Sequence, residues 1–126
     1  MKPLGCQVWA IADGHIPLMS HGEERTFSSH DKLCILNTGD QAAQVEVIIY
    51  YQDADPDGPY PLQIAPQRVR HMRINDLINP RAVPLDVPYG LVITSNVDVI
   101  VQFSRRDTSR SENAIMTTLA HPVRGG

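Results

Sequence analysis

The sequence predicts an all-β fold, a single β-sandwich of jelly-roll-like form with about eight short antiparallel strands. Three observations lead to this prediction. Short runs of β-branched and other apolar residues recur along the chain, and turn-forming residues separate them. No segment has the apolar spacing of a long amphipathic helix. No Gly/Ser-rich or highly charged linker divides the 126 residues, so residues 1–126 are expected to form one domain.

The first half of the chain contains three predicted strands, each followed by turn-forming residues. They are Gln7–Ala12 before Asp13-Gly14, Lys32–Asn37 before Thr38-Gly39-Asp40, and Gln44–Tyr51. In the last of these, Val45, Val47, Ile49 and Tyr51 fall on one face. The segment from Gln52 to Pro61 contains three Asp, three Pro and one Gly, and it is predicted to be a loop.

The second half is predicted to contain five further strands. They are Tyr60–Ile64 and Gln67–Ile74 around a reversal at Ala65-Pro66, Tyr89–Thr94 and Asp98–Phe103 as a hairpin across Ser95-Asn96-Val97, and a final strand at Met116–Leu119. Asn75–Asn79 is predicted to be a short helical turn with a capping Asn or Asp. Proline residues after this turn favour an extended connection to the next strand.

The charge distribution is compatible with a basic face on a protein whose net charge is negative. The formal net charge is −3, which disfavours nucleic-acid binding. Most of the basic residues nevertheless lie in the second half of the chain. Seven of the eleven are Arg68, Arg70, Arg73, Arg81, Arg105, Arg106 and Arg110. A local basic patch of this kind would be able to attract an anionic partner.

The sequence favours a cytoplasmic protein that is not inserted in a membrane. The N-terminal residues lack the apolar segment of a signal peptide, and the apolar runs are far shorter than the ~20 residues of a membrane helix. In a reducing cytoplasm, Cys6 and Cys34 are expected to be buried thiols rather than a disulfide.

No motif of catalysis or cofactor binding is present. The sequence has no Gly-x-Ser-x-Gly, no phosphate-binding loop and no Gly-x-Gly-x-x-Gly, so the chain is predicted not to be an enzyme and to need no cofactor. The five histidines lack the spacing of a cupin-like metal site, and no metal site is predicted.

Two polar strand segments are the candidates for ligand binding. In Arg68–Asp76, strand alternation places Met72 and Ile74 on one face and His71 and Arg73 on the other. The second segment begins at Gln102, where an apolar strand becomes polar. We expect His71, Arg73 and Gln102 near one concave surface, with Trp9 or Asn37 close by, since guanidinium, amide and imidazole groups bind hydroxyl-rich or anionic ligands. The alternative is that these groups pair with one another or with a neighbouring subunit.

Many short motifs in order along the chain resemble one known family. They are Trp9-Ala10-Ile11-Ala12-x-Gly14-x-Ile16-Pro17, Ser29-His30-Asp31, Cys34-Ile35-Leu36-Asn37-x-Gly39-Asp40, Val45-Glu46-Val47-x-Ile49-Tyr50-Tyr51, Gly58-Pro59-Tyr60, Arg68-x-x-His71-x-Arg73-x-Asn75-Asp76-Leu77, Ser95-Asn96-Val97, Val101-Gln102-x-x-Arg105-x-Asp107 and Glu112-Asn113-Ala114. The chain is similar to the Anabaena sensory rhodopsin transducer family from about Trp9 to Ala120.

The resemblance implies a small soluble β-sandwich that assembles as a homotetramer. It further implies contact with a membrane photoreceptor or another signalling protein, a link to DNA binding, and in the wider family the sensing of sugar-like small molecules. Residues that match the family motifs and are expected to line a ligand site are Trp9, His30, Asn37, Arg68, His71, Arg73, Asn75, Gln102 and Arg105. The leading interpretation is therefore a sensor or signal-relay module that binds a sugar-like or anionic ligand. A DNA-binding regulator and an uncharacterised enzyme are the alternatives.

Overall fold

The computed structural model describes residues 2–16, 30–107 and 114–124, and the regular secondary structure in these ranges consists of antiparallel β-strands and one short 3-10 turn. The strands are β1 (Cys6–Gly14), β2 (His30–Asn37), β3 (Ala43–Tyr51), β4 (Asp57–Ile64), β5 (Arg68–Arg73), β6 (Tyr89–Asp107), β7 (Ala114–Leu119) and β8 (His121–Val123). The described helical structure is one 3-10 turn, Ile74–Asp76. The predicted all-β fold is confirmed. In the described ranges, no helix is both long enough and apolar enough to cross a membrane.

The strands form two sheets that share β6. One sheet has the order β4-β3-β6-β1-β8 and the other has the order β5-β2-β6-β7. The first half of β6 pairs with β3 and β1, and its second half pairs with β2 and β7. A strand that passes from one sheet to the other forms a corner of the sandwich. The core lies between the inner faces, where Val45, Val47 and Ile49 are buried as their alternation predicted.

The predicted hairpin at Ser95-Asn96-Val97 is wrong, because β6 is one continuous strand of 19 residues. Every second residue of this segment faces inward. Ile93, Ser95 and Val99 are buried, and Val97 is half-buried against the core. Asn96 faces outward, and its side-chain oxygen accepts a hydrogen bond from the Gln44 backbone N–H at 2.7 Å. The polar residues that resemble a turn therefore connect β6 to β3.

Two further local predictions are corrected. Strand β4 begins at Asp57, inside the predicted loop, and contains Pro59 and Pro61. Among the described strands β4 pairs only with β3, so it is an edge strand. Only the backbone N–H groups on its β3 side are needed for pairing, and proline, which lacks an N–H, is tolerated at such an edge. The 3-10 turn is preceded by Arg73 and has no side-chain cap, so the predicted Asn or Asp cap is also wrong. The predicted C-terminal strand is present as β7.

Trp9 stabilises the corner where β6 leaves β1. The pairing of these strands shifts between Cys6 opposite Val99 and Val8 opposite Thr94, so the regular ladder is interrupted there. The buried Trp9 indole N–H donates to the carbonyl oxygens of both Cys6 and Val99, each at 3.0 Å. The Trp9 indole thus supplies a hydrogen-bond donor to two carbonyl oxygens at the point where the strand pairing is interrupted.

Candidate ligand-binding groove

A groove of about 310 Å³ lies on the outer face of the β5-β2-β6 sheet, and we call it the sheet groove. Its lining residues are Lys32, Cys34, Leu36, Val69, His71, Ile100, Gln102, Phe103 and Ser104. The volume is at the lower end of the range for small-molecule sites, roughly 300–1,000 Å³. Strand β2 forms the floor because it pairs with β5 on one side and with β6 on the other.

The register of the three strands arranges the groove in three rows. Paired residues of an antiparallel ladder point to the same face, so each β2 residue has one neighbour on β5 and one on β6. The middle row is His71, Cys34 and Gln102, the cationic row is Arg73, Lys32 and Ser104, and the apolar row is Val69, Leu36 and Ile100. Successive rows are two residues apart along each strand, which corresponds to about 6.7 Å.

The groove has the chemistry of a binding site rather than of a nucleophilic centre. The His71 imidazole and the Gln102 amide each provide a donor and an acceptor, and Lys32 provides a cation. Burial raises the pKa of the Cys34 thiol, and the nearby Lys32 ammonium lowers it only in part. Cys34 therefore remains a neutral thiol near pH 7 and contributes a soft, weakly polar floor.

The structure brings together part of the predicted site. His71 and Gln102 both line the sheet groove, on opposite sides of Cys34. Arg73 lies in the cationic row, two residues from His71 and opposite Lys32. Trp9 and Asn37 do not line the groove. Trp9 lies in the corner described above, and the buried Asn37 organises the turn after β2.

Asn37 holds the backbone of two neighbouring loops. Its side-chain nitrogen donates to the carbonyl oxygens of Gln41 at 2.8 Å, Ile64 at 3.2 Å and Ala65 at 3.3 Å. Its side-chain oxygen accepts a hydrogen bond from the Gly39 backbone N–H at 3.0 Å. With all these partners inside the protein, Asn37 links the β2–β3 turn to the β4–β5 turn.

Three other predicted residues lie away from the groove or outside the described part of the chain. Arg68 is exposed at the start of β5 and donates to the Gln67 carbonyl oxygen at 2.9 Å. Asn75 lies in the 3-10 turn. His30 begins β2, and its side chain lies outside the residues that the structure describes.

Arg105 belongs to a buried polar cluster that connects β2 to β6. Asp31 is 0% exposed and accepts hydrogen bonds from Arg105 Nε at 3.0 Å, from the Tyr89 hydroxyl and from the His15 backbone N–H at 3.0 Å. Arg105 also donates to the Asp13 carbonyl oxygen at 2.8 Å. Arg105 neutralises the buried Asp31 carboxylate through these contacts, so the structure assigns Arg105 a structural role.

Burial and the adjacent Asp31 charge both raise the pKa of the Tyr89 hydroxyl in this cluster. The pKa of Arg105 is raised as well: burial alone would lower it, but the hydrogen bond and charge of Asp31, with help from Asp13, outweigh the burial. Tyr89 thus stays a neutral donor and Arg105 stays a cation. The cluster is charge-balanced inside the protein, in agreement with the rule for buried ionic groups.

Sequence reasoning missed Lys32, Cys34 and Leu36 as groove residues. Their signal is the outward phase of β2: Leu33 and Ile35 alternate with them and are buried. The prediction of a buried Cys34 thiol is corrected, because Cys34 is half-buried on the groove floor. This alternation does not show that β2 lies between two other strands of its sheet.

A second, wider groove of about 600 Å³ lies between the edges of β4 and β5, and His71 borders it as well. Its polar rim includes Arg70, whose guanidinium already donates to the Gln63 carbonyl oxygen at 3.0 Å and so joins the two edges. Within the described ranges, no group of three His, Cys, Asp or Glu side chains is placed to hold a metal ion.

Comparisons with known proteins identify the family. The family described as Anabaena sensory rhodopsin transducer matches residues 4–122. The structure of the Anabaena sensory rhodopsin transducer is 44% identical with a TM-score of 0.74, and the match covers 82% of this chain and 97% of that chain. The crystal structure of Thermotoga maritima 1070 is 32% identical with a TM-score of 0.83, and the match covers 97% of this chain and 98% of that chain. No curated protein matches the chain. The chain therefore belongs to the Anabaena sensory rhodopsin transducer family.

Proposed function

We propose that this chain is a non-enzymatic sensor or signal transducer that binds a small sugar-like or anionic molecule in the sheet groove and relays its presence by protein contact. The observation that carries the proposal is the convergence of His71, Gln102 and Lys32 on one groove, from three different strands. Few polar groups placed around a concave, partly apolar surface are the usual features of a small-molecule site.

The groove also has a physical connection to the rest of the molecule. Ile100, Gln102 and Ser104 lie on the half of β6 that pairs with β2, while the other half of the same strand is central in the second sheet. A ligand shifts a conformational equilibrium only by the difference between its affinities for the two states. A ligand that favours one bend of β6 would therefore alter both sheets, which is the coupling a transducer needs.

The proposed working form is a cytoplasmic homotetramer whose partner is a membrane photoreceptor or another signalling protein. Several large apolar side chains are exposed on the single chain, among them Tyr50, Ile78 and Val123, and their burial between chains would favour association. Light scattering on the purified protein is expected to give four times the 14.0 kDa mass of one chain. A mass of 14.0 kDa at micromolar concentration would contradict the tetramer.

The binding proposal is tested by calorimetry and thermal shift with neutral sugars and small organic anions. His71→Ala and Gln102→Ala are expected to weaken binding at least about fivefold, the loss of roughly one hydrogen bond, while the melting temperature stays unchanged. Gln7→Ala is the matched control, since Gln7 is an exposed glutamine on β1 outside the groove. If no probe binds, or if binding ignores His71 and Gln102, the groove is not the ligand site.

The alternative of a DNA-binding regulator has less support. Of the clustered arginines, Arg81 pairs with Asp57 at 2.8 Å and Arg105 pairs with Asp31, so neither is available to a phosphate without loss of an internal partner. The side chains of Arg106 and Arg110 lie outside the described residues. Retention on DNA that falls steeply with salt and depends on the exposed Arg68 and Arg70 would favour this alternative.

A further inference from the structure

The two ends of the sheet groove differ in chemistry. At one end Lys32 provides an ammonium group, and no carboxylate is present among the groove's lining residues in the part of the chain that the structure describes. At the other end the apolar row presents Val69, which is 55% exposed, and Leu36, which is 38% exposed, beside the half-buried Ile100. Lys32 and Leu36 are four residues apart on β2, so the two ends are separated by about 13 Å.

We propose that the sheet groove binds an amphiphilic carboxylate, a small organic acid with an anionic group at one end and an apolar chain at the other. The carboxylate lies at Lys32, the segment of the ligand next to the carboxylate passes between His71 and Gln102, and the apolar chain covers Leu36 and Val69. This inference rests on the proposed function of the groove and adds to it the class of ligand.

The chemistry of the rows distinguishes this ligand from simpler ones. A hydroxyl-rich sugar would place polar groups against Leu36 and Val69, which offer no hydrogen bonds, and it would leave Lys32 without an anion. A small inorganic anion would reach Lys32 but would leave the apolar row in water. The neutral Cys34 thiol in the middle of the floor is compatible with either end of an amphiphilic ligand and repels neither.

Charge complementarity also favours this ligand over a second copy of the chain as the occupant. In a two-fold contact each copy presents the same surface patch to the other. The described lining residues of the groove include a cation and no carboxylate, so these residues of a copy packed groove to groove bring no anion to Lys32. An organic acid supplies that anion together with an apolar surface of matching length.

The test uses isothermal titration calorimetry on the full chain with four probes: octanoate, octanamide, acetate and glucose. Octanoate is expected to bind at least about tenfold more tightly than octanamide, which lacks the charge, and than acetate, which lacks the chain; tenfold corresponds to about 1.4 kcal/mol. This comparison needs no variant, so it remains valid whatever a substitution does to folding.

Variants then assign the preference to the two ends of the groove. Lys32→Met is expected to remove the tenfold preference for octanoate over octanamide, and Lys32→Arg is expected to retain most of it. Lys2→Met is the matched control, because Lys2 is the other lysine of the chain and is exposed outside the groove. Leu36→Asn is expected to weaken octanoate binding severalfold and to leave acetate binding unchanged.

The outcomes separate this inference from the proposed function. If glucose binds and its binding depends on His71 and Gln102 while octanoate does not bind, the ligand class is wrong and the groove remains the site. If octanoate binds the wild type and Lys32→Met equally well, the inference is refuted in the same way. If none of the four probes binds, the amphiphilic carboxylate is refuted, and the wider sugar and anion panel decides the proposed function separately.

Discussion

Replacing Asp31 with Asn is expected to destabilise the protein strongly, although the two side chains have nearly the same shape. Asp31 is 0% exposed and accepts hydrogen bonds from Arg105 Nε, the Tyr89 hydroxyl and the His15 backbone N–H. The amide has no charge to balance Arg105, whose side chain is only 17% exposed, and its NH₂ group meets donors where an acceptor is needed.

The size of the effect follows from what Arg105 retains. Removing one member of a buried ion pair costs about 3–5 kcal/mol. Arg105 keeps its hydrogen bond to the Asp13 carbonyl oxygen and some contact with water, so we expect the lower end of this range, about 3 kcal/mol. At roughly 4 °C per kcal/mol for a chain of this size, the melting temperature falls by roughly 12 °C.

Urea unfolding followed by tryptophan fluorescence measures this change, since Trp9 is the single tryptophan. Asp13→Asn is the matched control, because Asp13 approaches the same arginine at 3.7 Å but is 79% exposed. An exposed pair of this kind contributes at most about 1 kcal/mol. A loss under 1 kcal/mol for Asp31→Asn, or equal losses for both variants, would refute the proposed structural role of the cluster.

Three further predictions concern the corner of the sandwich and the stability at high pH. Gly5→Ala is expected to cost about 2 kcal/mol or more in urea unfolding, because Gly5 has a φ of +104° and an added Cβ would lie 1.9 Å from the Val99 carbonyl oxygen; an unchanged midpoint would contradict this close approach. Trp9→Phe keeps an aromatic ring but removes the donor to two carbonyl oxygens, so we expect a loss of about 1–3 kcal/mol by thermal or circular-dichroism-monitored unfolding, and a loss of a few tenths would show that water replaces the indole. The pKa of Tyr89 is raised on folding, so the folded state keeps its proton above the ordinary value of 10.0 and stability decreases as the pH rises past that value, by up to about 1.4 kcal/mol per pH unit. Tyr89→Phe is expected to flatten this alkaline decrease between pH 10 and 11, and an unchanged slope would assign the decrease to other groups.

The sequence by itself determined the fold class and, for most strands, which side chains face the core. Alternation of side chains is a property of the extended backbone, so it can be read one strand at a time. Val45, Val47 and Ile49 are buried as their spacing predicted, and His71 faces away from Met72. The same local property predicted that His71 and Gln102 belong to surfaces with polar chemistry, and the motifs in register predicted the family.

Only the tertiary structure decided which surfaces meet. Lys32, Cys34 and Leu36 became the floor of the groove because β2 lies between β5 and β6, and an outward-facing stripe on one strand contains no information about its neighbours. The continuity of β6 likewise depends on a partner distant in sequence. Asn96 is typical of a turn in the sequence, but in the structure its side chain accepts a hydrogen bond from the Gln44 backbone N–H of β3. Arg105 resembles a ligand-binding arginine until it is paired with Asp31, 74 residues away. Strand pairing is set by non-local hydrogen bonds and by burial shared between elements, and a single strand's pattern is compatible with many partners.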